Sequence, residues 1–323
     1  MYRAVPAVLA FLATLMFAPA SPVRAETYPT RPITMVVPLP AGGTADLLCR
    51  LAAEKASARL GQQVVIENRP GGAGGRIGSE TVLRANPDGY TLLCAPQLSY
   101  SVTHLLFKAA FDTRSLEPIS VLAVYPLVIV ARVALPANDL SGFIKLARAE
   151  PGKFTYGHQG KGNTGHLLGE LMMHKGDFHM TEVPYRGSAP AINDLLAGNI
   201  DIVPDYLLAN KQNIDAGKLK LLATGGRERL KDYPDVALIA DTLPGVYADT
   251  WMAVAAPPGT PKEITTKVSD AIAQGFRDED LKARILRLEA QPLGSTPDEM
   301  RRLIRRSLDT WGPVIEAAKI AID

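Results

Sequence analysis

Ile33-Thr34-Met35-Val36-Val37-Pro38 runs into Leu39-Pro40-Ala41-Gly42-Gly43-Thr44, and then into Ala45-Asp46-Leu47-Leu48-Cys49-Arg50-Leu51-Ala52. The first five residues form a short apolar run that ends where proline removes a backbone donor, the pattern of a buried strand. The Pro/Gly segment is a turn. From Asp46 the apolar positions Leu47, Leu48, Leu51 and Ala52 return with helical spacing, and Gly61 supplies the stop, so a helix is predicted over 46–60. Further along, Val64-Val65-Ile66-Glu67 reads as a strand and Asn68-Arg69-Pro70-Gly71-Gly72-Ala73-Gly74-Gly75 as a long turn. A helix over 77–85 and a strand over 90–94 follow. This βαβαβ alternation calls for a parallel sheet with helices on its faces.

The alternation resumes with different spacing. Strands are expected at 127–130, 154–156, around Val183, at 200–203, 219–223 and 251–255. Helices are expected at 140–148, 164–175, 189–197, 262–277 and 297–319. There is no internal repeat and no low-complexity tract.

With 323 residues, 47% apolar and 21% charged, the chain is too apolar for a disordered protein and long enough for two domains. Net charge is +2, and residues 1–25 carry Arg3 and Arg24 with no acid, so the remainder is neutral. A neutral chain has no electrostatic footprint for nucleic acid or an anionic membrane. Residues 1–25 also hold an apolar run from Ala4 to Ala18, shorter than a membrane span, and end in the small-x-small pattern Val23-Arg24-Ala25. They read as a secretory signal peptide, with an uncleaved anchor as the alternative. Export places Cys49 and Cys94 in an oxidising compartment. Flanked by leucines, they read as two buried thiols; a disulfide is the alternative, and requires a helix and a strand to bring them together.

Three Gly-rich turns open onto predicted helices: Gly42-Gly43-Thr44, Gly160-Lys161-Gly162-Asn163-Thr164, and Tyr185-Arg186-Gly187-Ser188. A helix start offers free N–H groups and the positive end of a dipole, and glycine lets backbone approach a ligand, so several starts facing one crevice suit a carboxylate. Asp46, in a first helical turn, reads as a dipole partner. Asp205 follows a strand, at the end where sites gather in open sheets. Nucleotide motifs, a nucleophile elbow and a zincin helix are all missing. The histidines His158, His166, His174 and His179 fit no standard zinc spacing, and His166 and His174 read as packing or surface residues.

In order along the chain, Tyr28-Pro29-Thr30-Arg31-Pro32-Ile33, Val37-Pro38-Leu39-Pro40-Ala41-Gly42-Gly43 with Asp46, Glu67-Asn68-Arg69-Pro70-Gly71-Gly72, Pro87-Asp88-Gly89-Tyr90, Val183-Pro184-Tyr185-Arg186-Gly187-Ser188, Asp194-Leu195-Leu196-Ala197-Gly198, Ala256-Pro257-Pro258-Gly259-Thr260-Pro261 and Gly294-Ser295-Thr296-Pro297 resemble the solute-binding proteins of tripartite tricarboxylate transporters, the TctC or Bug family. The resemblance covers the whole chain after residue 25.

It implies an α/β, type II-like periplasmic binding protein of two domains, with a hinge and an interdomain ligand cleft. One domain would comprise 26–124 plus 247–323 and the other 125–246, with crossings near Val124 and Val246. The implied function is capture of a small carboxylate (a di- or tricarboxylate, an acidic amino acid or an aromatic acid) for uptake. The implied partners are membrane components of the transporter, or a sensor kinase if the role is sensing. The resemblance implies a periplasmic monomer with no cofactor, no metal and no nucleic acid; an exported enzyme is the less favoured alternative. Carried over by position, the ligand would meet Leu39, Ala41, Gly42 and Thr44 on the first loop and Gly160, Gly162, Asn163 and Thr164 on the second-domain loop. Tyr185, Gly187, Ser188 and Asp205 would face the rest of it, with water bridging some contacts. The chain departs from the family at Ala95-Pro96-Gln97-Leu98-Ser99-Tyr100, where a Thr/Gly-rich loop is usual; Gln97 is the ligand candidate there. His158, Gln159, Lys161 and Asn163 also replace smaller or uncharged residues. Lys161 reads equally as a cation for a second carboxylate or as a solvated side chain.

Overall fold

The computed structural model describes residues 28–42, 44–71, 75–107 and 112–322. The signal peptide expected at 1–25, Gly43 and part of the glycine run after Pro70 lie outside the described residues. In chain order the elements are β1 (Ile33–Val37), α1 (Thr44–Leu60), β2 (Val64–Asn68), α2 (Arg76–Leu83), β3 (Thr91–Pro96), α3 (Thr103–Leu106), β4 (Glu117–Arg132), α4 (Leu140–Ala149), β5 (Thr155–His158), α5 (Thr164–Gly176), β6 (Thr181–Pro184), α6 (Ser188–Ala197), β7 (Ile202–Tyr206), α7 (Leu207–Asp215), β8 (Leu219–Thr224), α8 (Ile239–Thr242), β9 (Asp249–Ala256), α9 (Lys262–Gly275), α10 (Glu279–Leu286), β10 (Gln291–Pro292) and α11 (Pro297–Ala317). Among the described residues no helix is long and apolar enough to cross a membrane.

β2, β1 and β3 pair in parallel, as the alternation requires, and β9 closes against β3 in the opposite sense. In the second half β6, β5 and β7 are parallel neighbours. Strand β4 joins the two halves. Glu117 to Pro126 pair with β9, while Leu127 to Arg132 lie between β7 and β8. Only 127–130 stand out as strand in the sequence, where Pro118 and Pro126 interrupt the apolar run ahead of them. The structure accommodates Pro118 beside a register shift and Pro126 at the last position of the β9 ladder, where a missing N–H costs least.

Helices cover both faces of each half. Met35, Leu92 and Val254 pack under α1 and α9, while Val36, Leu93 and Ala255 pack under α2 and the start of α11. In the second half Leu127, Ile129 and Ala131 face a core with α4 and α5; Val128 and Val130, offset by one, face α6 and α7. This is the period-2 alternation of a strand buried on both sides. Helix α11 spans both halves: Met300 belongs to the first, whereas Trp311, Val314 and Ile315, with Ile320 beyond the helix, belong to the second.

Two expectations change. Cys49 and Cys94 are fully buried and form a disulfide, with Cα atoms 6.1 Å apart, rather than standing as separate thiols. Helix α1 lies across β3, so two elements that are remote in sequence meet in one core. Helices α7 and α10, and the single-turn helices α3 and α8, are not among the expected ones. Helix α10 begins at Asp278, whose carboxylate accepts the Leu281 N–H at 3.0 Å, a cap followed by too short an apolar period to stand out.

Candidate functional site

The first loop leaves β1 at Val37 and enters α1 at Thr44. Leu39 is half-buried, while Ala41 and Gly42 are exposed. The Gly42 N–H donates to the Asp46 carboxylate at 2.9 Å. Asp46, 2% exposed, also accepts from Arg50 Nε at 2.9 Å and Asn68 Nδ2 at 2.9 Å. Burial alone would raise this carboxyl; the Arg50 guanidinium, the Gly42 N–H and Asn68 outweigh it and hold it below the usual range. Asp46 is therefore the tie that shapes the loop, a larger role than dipole partner.

The second loop leaves β5 at His158 and enters α5 at Thr164. Asn163 caps the helix, its Oδ1 accepting the Gly165 N–H at 3.2 Å. The Gly160 N–H donates to His158 Nδ1 at 3.1 Å, and the Gly162 N–H donates to His166 Nδ1 at 3.1 Å. Both rings are buried, His158 at 0% and His166 at 2% exposure, and both Nε2 atoms approach one oxygen of Glu182, at 2.8 and 3.5 Å. His158, His166 and Glu182 are, among the described residues, the one group of His, Cys, Asp and Glu whose ligand atoms all lie within 4.8 Å of each other. The Nδ1 atoms are acceptors, so each neutral ring carries its proton on Nε2, facing the carboxylate. In that arrangement His158 Nε2 is hydrogen-bonded to Glu182, His166 Nε2 faces the same oxygen, and neither ring offers Nε2 a lone pair for an ion.

The third loop brings Tyr185 and Gly187 to the start of α6. Tyr185 OH donates to Asp194 Oδ2 at 2.7 Å; burial first, and then that carboxylate, push the phenol up to about 12. Ser188, the first residue of α6, donates its hydroxyl to Asp205 Oδ2. Asp205, at the end of β7, is 0% exposed and also accepts from Gln159 Nε2 at 2.8 Å and Asn210 Nδ2 at 3.1 Å. Burial pushes its carboxyl up, and these donors together with the Tyr206 N–H pull the other way.

The structure thus places Gly160, Gly162 and Asn163 in one hydrogen-bonded group with His158, His166 and Glu182, and Ser188 and Asp205 in another with Gln159, Asn210 and Tyr206, to whose side chain Thr164 is bonded. Leu39, Ala41, Gly42 and Thr44 stand on the first half. Gln97 is 4% exposed and turned toward α11. With its amide oriented to suit its surroundings, it donates to Asp249 O at 3.1 Å and accepts from Ser307 Oγ at 2.5 Å and Trp311 Nε1 at 3.3 Å. A ligand would have to displace these partners to reach it. Asn210, and the bond from Gln159 to Asp205, escaped sequence reading because no local motif ties either residue to Asp205. His174 is exposed and His166 buried, one surface and one packing residue, as their places on α5 suggested.

A profile described as Tripartite tricarboxylate transporter family receptor, TctC, matches residues 48–320. Protein BugT of Bordetella pertussis is 33% identical over 300 residues, covering 92% of each chain. A protein from the tcbD-tcbE intergenic region of Pseudomonas sp. (strain P51) is 33% identical over 90% of this chain and 88% of its own. Among solved structures, R. palustris Rpa4515 with adipate superposes with a TM-score of 0.81 at 32% identity over 91% of this chain and all of that one. MatC of Rhodopseudomonas palustris with bound malate gives 0.77 at 29% identity over 89% and 100%. Two lobes of α/β structure joined through β4, Gly-rich loops at the strand ends and this full-length similarity together show that the chain belongs to the TctC family of periplasmic solute-binding proteins.

Proposed function

We propose that the protein captures a small dicarboxylate or tricarboxylate between its two lobes, in the periplasm, and delivers it to the membrane components of a tripartite tricarboxylate transporter. The observation that carries this reading is the end-to-end similarity to two proteins seen with adipate and with malate, both dicarboxylates. The starts of α1, α5 and α6 support it. The Gly42, Gly160 and Gly162 amides have partners within the protein, so the carboxylate falls to other donors. At the head of α5, Thr164 and His166 have no partner four residues back within the helix, and their N–H groups are suited to an anion directly or through water. We place the lobe boundaries at 26–124 with 247–323 and at 125–246, on the support of β4, whose partners change from β9 to β7 and β8 after Pro126. Closure of the lobes on a hinge would enclose the ligand.

The test is a calorimetric and thermal-shift panel of adipate, malate, citrate, glutamate and benzoate. A di- or tricarboxylate should raise Tm and be recovered chemically unchanged. Absence of heat and shift across the whole panel defeats the proposal, and turnover of a bound acid replaces it with an enzyme.

A further inference from the structure

His158, one of the departures from the family pattern, and His166 sit behind the second-lobe loop, and their hydrogen bonds have a direction. We propose that His158, His166 and Glu182 form a clamp of positioning residues that holds the loop over 160–163 in shape for the ligand, each imidazole accepting one loop amide through Nδ1 while Glu182 fixes the rings through Nε2. The inference rests on the reading that this loop meets the ligand.

The geometry is specific. The two loop N–H groups point inward at ring nitrogens 3.1 Å away. The rings lie against each other with centroids 4.5 Å apart, and β6 supplies the carboxylate. The other side of the loop is closed by the chain end: a Cβ on Gly162 would lie 2.5 Å from Ile322 Cδ1 and 3.2 Å from Leu106 Cδ1. With φ at +70°, that position favours glycine in any case. The loop is thus gripped from the rings on one side and from the tail on the other, and its carbonyls and remaining amides take their aim from both.

The clamp depends on protonation. An imidazolium carries a proton on each nitrogen and accepts nothing, so a charged ring releases its loop amide. The groups facing the rings are Glu182 from β6, Glu170 from α5, Tyr156 from β5, Lys161 from the loop and Lys319 from the tail; Tyr156 OH donates to Glu170 at 2.6 Å. Burial pushes His166 down to about 4; a positive charge on His158, were that ring to take up a second proton, or on Lys161 acts in the same direction, and Glu182 opposes them. For His166 the neutral, amide-accepting ring is therefore the form that persists at neutral pH.

The experiment uses the whole protein. Long-range ¹⁵N–¹H spectra of the unliganded protein at neutral pH should show both rings protonated on Nε2. Amide exchange should show Gly160 and Gly162 protected. His158→Phe should lower protection at Gly160, and His166→Phe at Gly162, by roughly tenfold or more, the loss of one hydrogen bond. Asparagine places an acceptor near the Nδ1 position and cannot be protonated, so His166→Asn should keep the Gly162 protection and keep it at acid pH, where the wild type loses it. If a phenylalanine variant does not fold, the tautomers of the wild type and the asparagine variant decide. Protons found on Nδ1, or full protection in a folded phenylalanine variant, overturn the clamp. So does tight binding of zinc chloride that depends on both histidines, because an ion needs the Nε2 lone pairs. Adipate and malate affinities then report separately: if neither binds any form, the functional reading fails while the exchange data still judge the clamp.

Discussion

Asp46 and Asp205 are two carboxylates closed off from water, and their surroundings push them in opposite directions. Asp46 holds its charge because Arg50, Asn68 and the Gly42 N–H more than offset burial. Its folded form ionises more readily than the unfolded one, so its contribution is complete above the ordinary carboxyl range and disappears as pH falls through it. Asp46→Asn should cost about 1.5–3 kcal/mol at pH 7, the worth of charge-assisted bonds, with the gap from wild type closing below about pH 4. Asp205 is raised by burial, so the folded state binds its proton more tightly and the contribution falls as pH rises through that range. Asp205→Asn turns an amide donor toward Ser188, Gln159 and Asn210, which already donate, and should cost about 1–3 kcal/mol. There the gap should be widest at the acid end. Urea titrations between pH 3 and 8 read both signs; parallel curves for the two variants would contradict the assignment.

The elements meet at close quarters in two places. Helix α5 crosses β5 where Gly169 lies over Tyr156: a Cβ there would sit 2.3 Å from the ring. The ring is 0% exposed and its hydroxyl is tied to Glu170, so it has nowhere to move. Gly169→Ala gains about 1 kcal/mol of helix propensity and should still destabilise by about 1–3 kcal/mol net, seen as a lower urea midpoint. The other place is the Cys49–Cys94 link between α1 and β3, which spans 45 residues. In the chain-entropy account a loop of that length is worth about 4 kcal/mol, so the Cys49→Ala/Cys94→Ala double variant should unfold at markedly lower temperature. Equal Tm values would mean that packing alone holds α1 on the sheet.

Across the whole molecule, β4 and α11 connect the two lobes, and the chain end is anchored in the second. Ile320 is 8% exposed within that core, and the Ile322 N–H donates to Leu106 O at 2.6 Å. Truncation after Ala317 should therefore cost about 1.5–3 kcal/mol for the isoleucine alone and loosen the loop beside Gly162, measured as a lower urea midpoint and faster amide exchange at 160–163. Unchanged exchange there would show that the tail only covers the core. A ligand at one hundred times its Kd should add about 2.7 kcal/mol to global stability, an increment the truncated chain should share if it binds equally well.

Strand and helix order, the Gly-rich turns and the family were legible in the sequence, because hydrophobic period and turn chemistry are local properties of a few adjacent residues. Sequence did not show that β4 continues through Pro118 and Pro126, since proline is a breaker until a neighbouring ladder supplies an edge for it. Nor did it show the Cys49–Cys94 pairing, the Asp205 network with Gln159 and Asn210, or the direction in which Gly42, Gly160 and Gly162 donate. Each of these depends on which atoms face each other across elements. His158 meets Glu182 only because β5 and β6 are in register, Gly157 opposite Val183. Composition and periodicity specify what a segment buries; only the packed fold decides which buried donor finds which acceptor, because that choice depends on distances and angles between parts of the chain that carry no mark of one another.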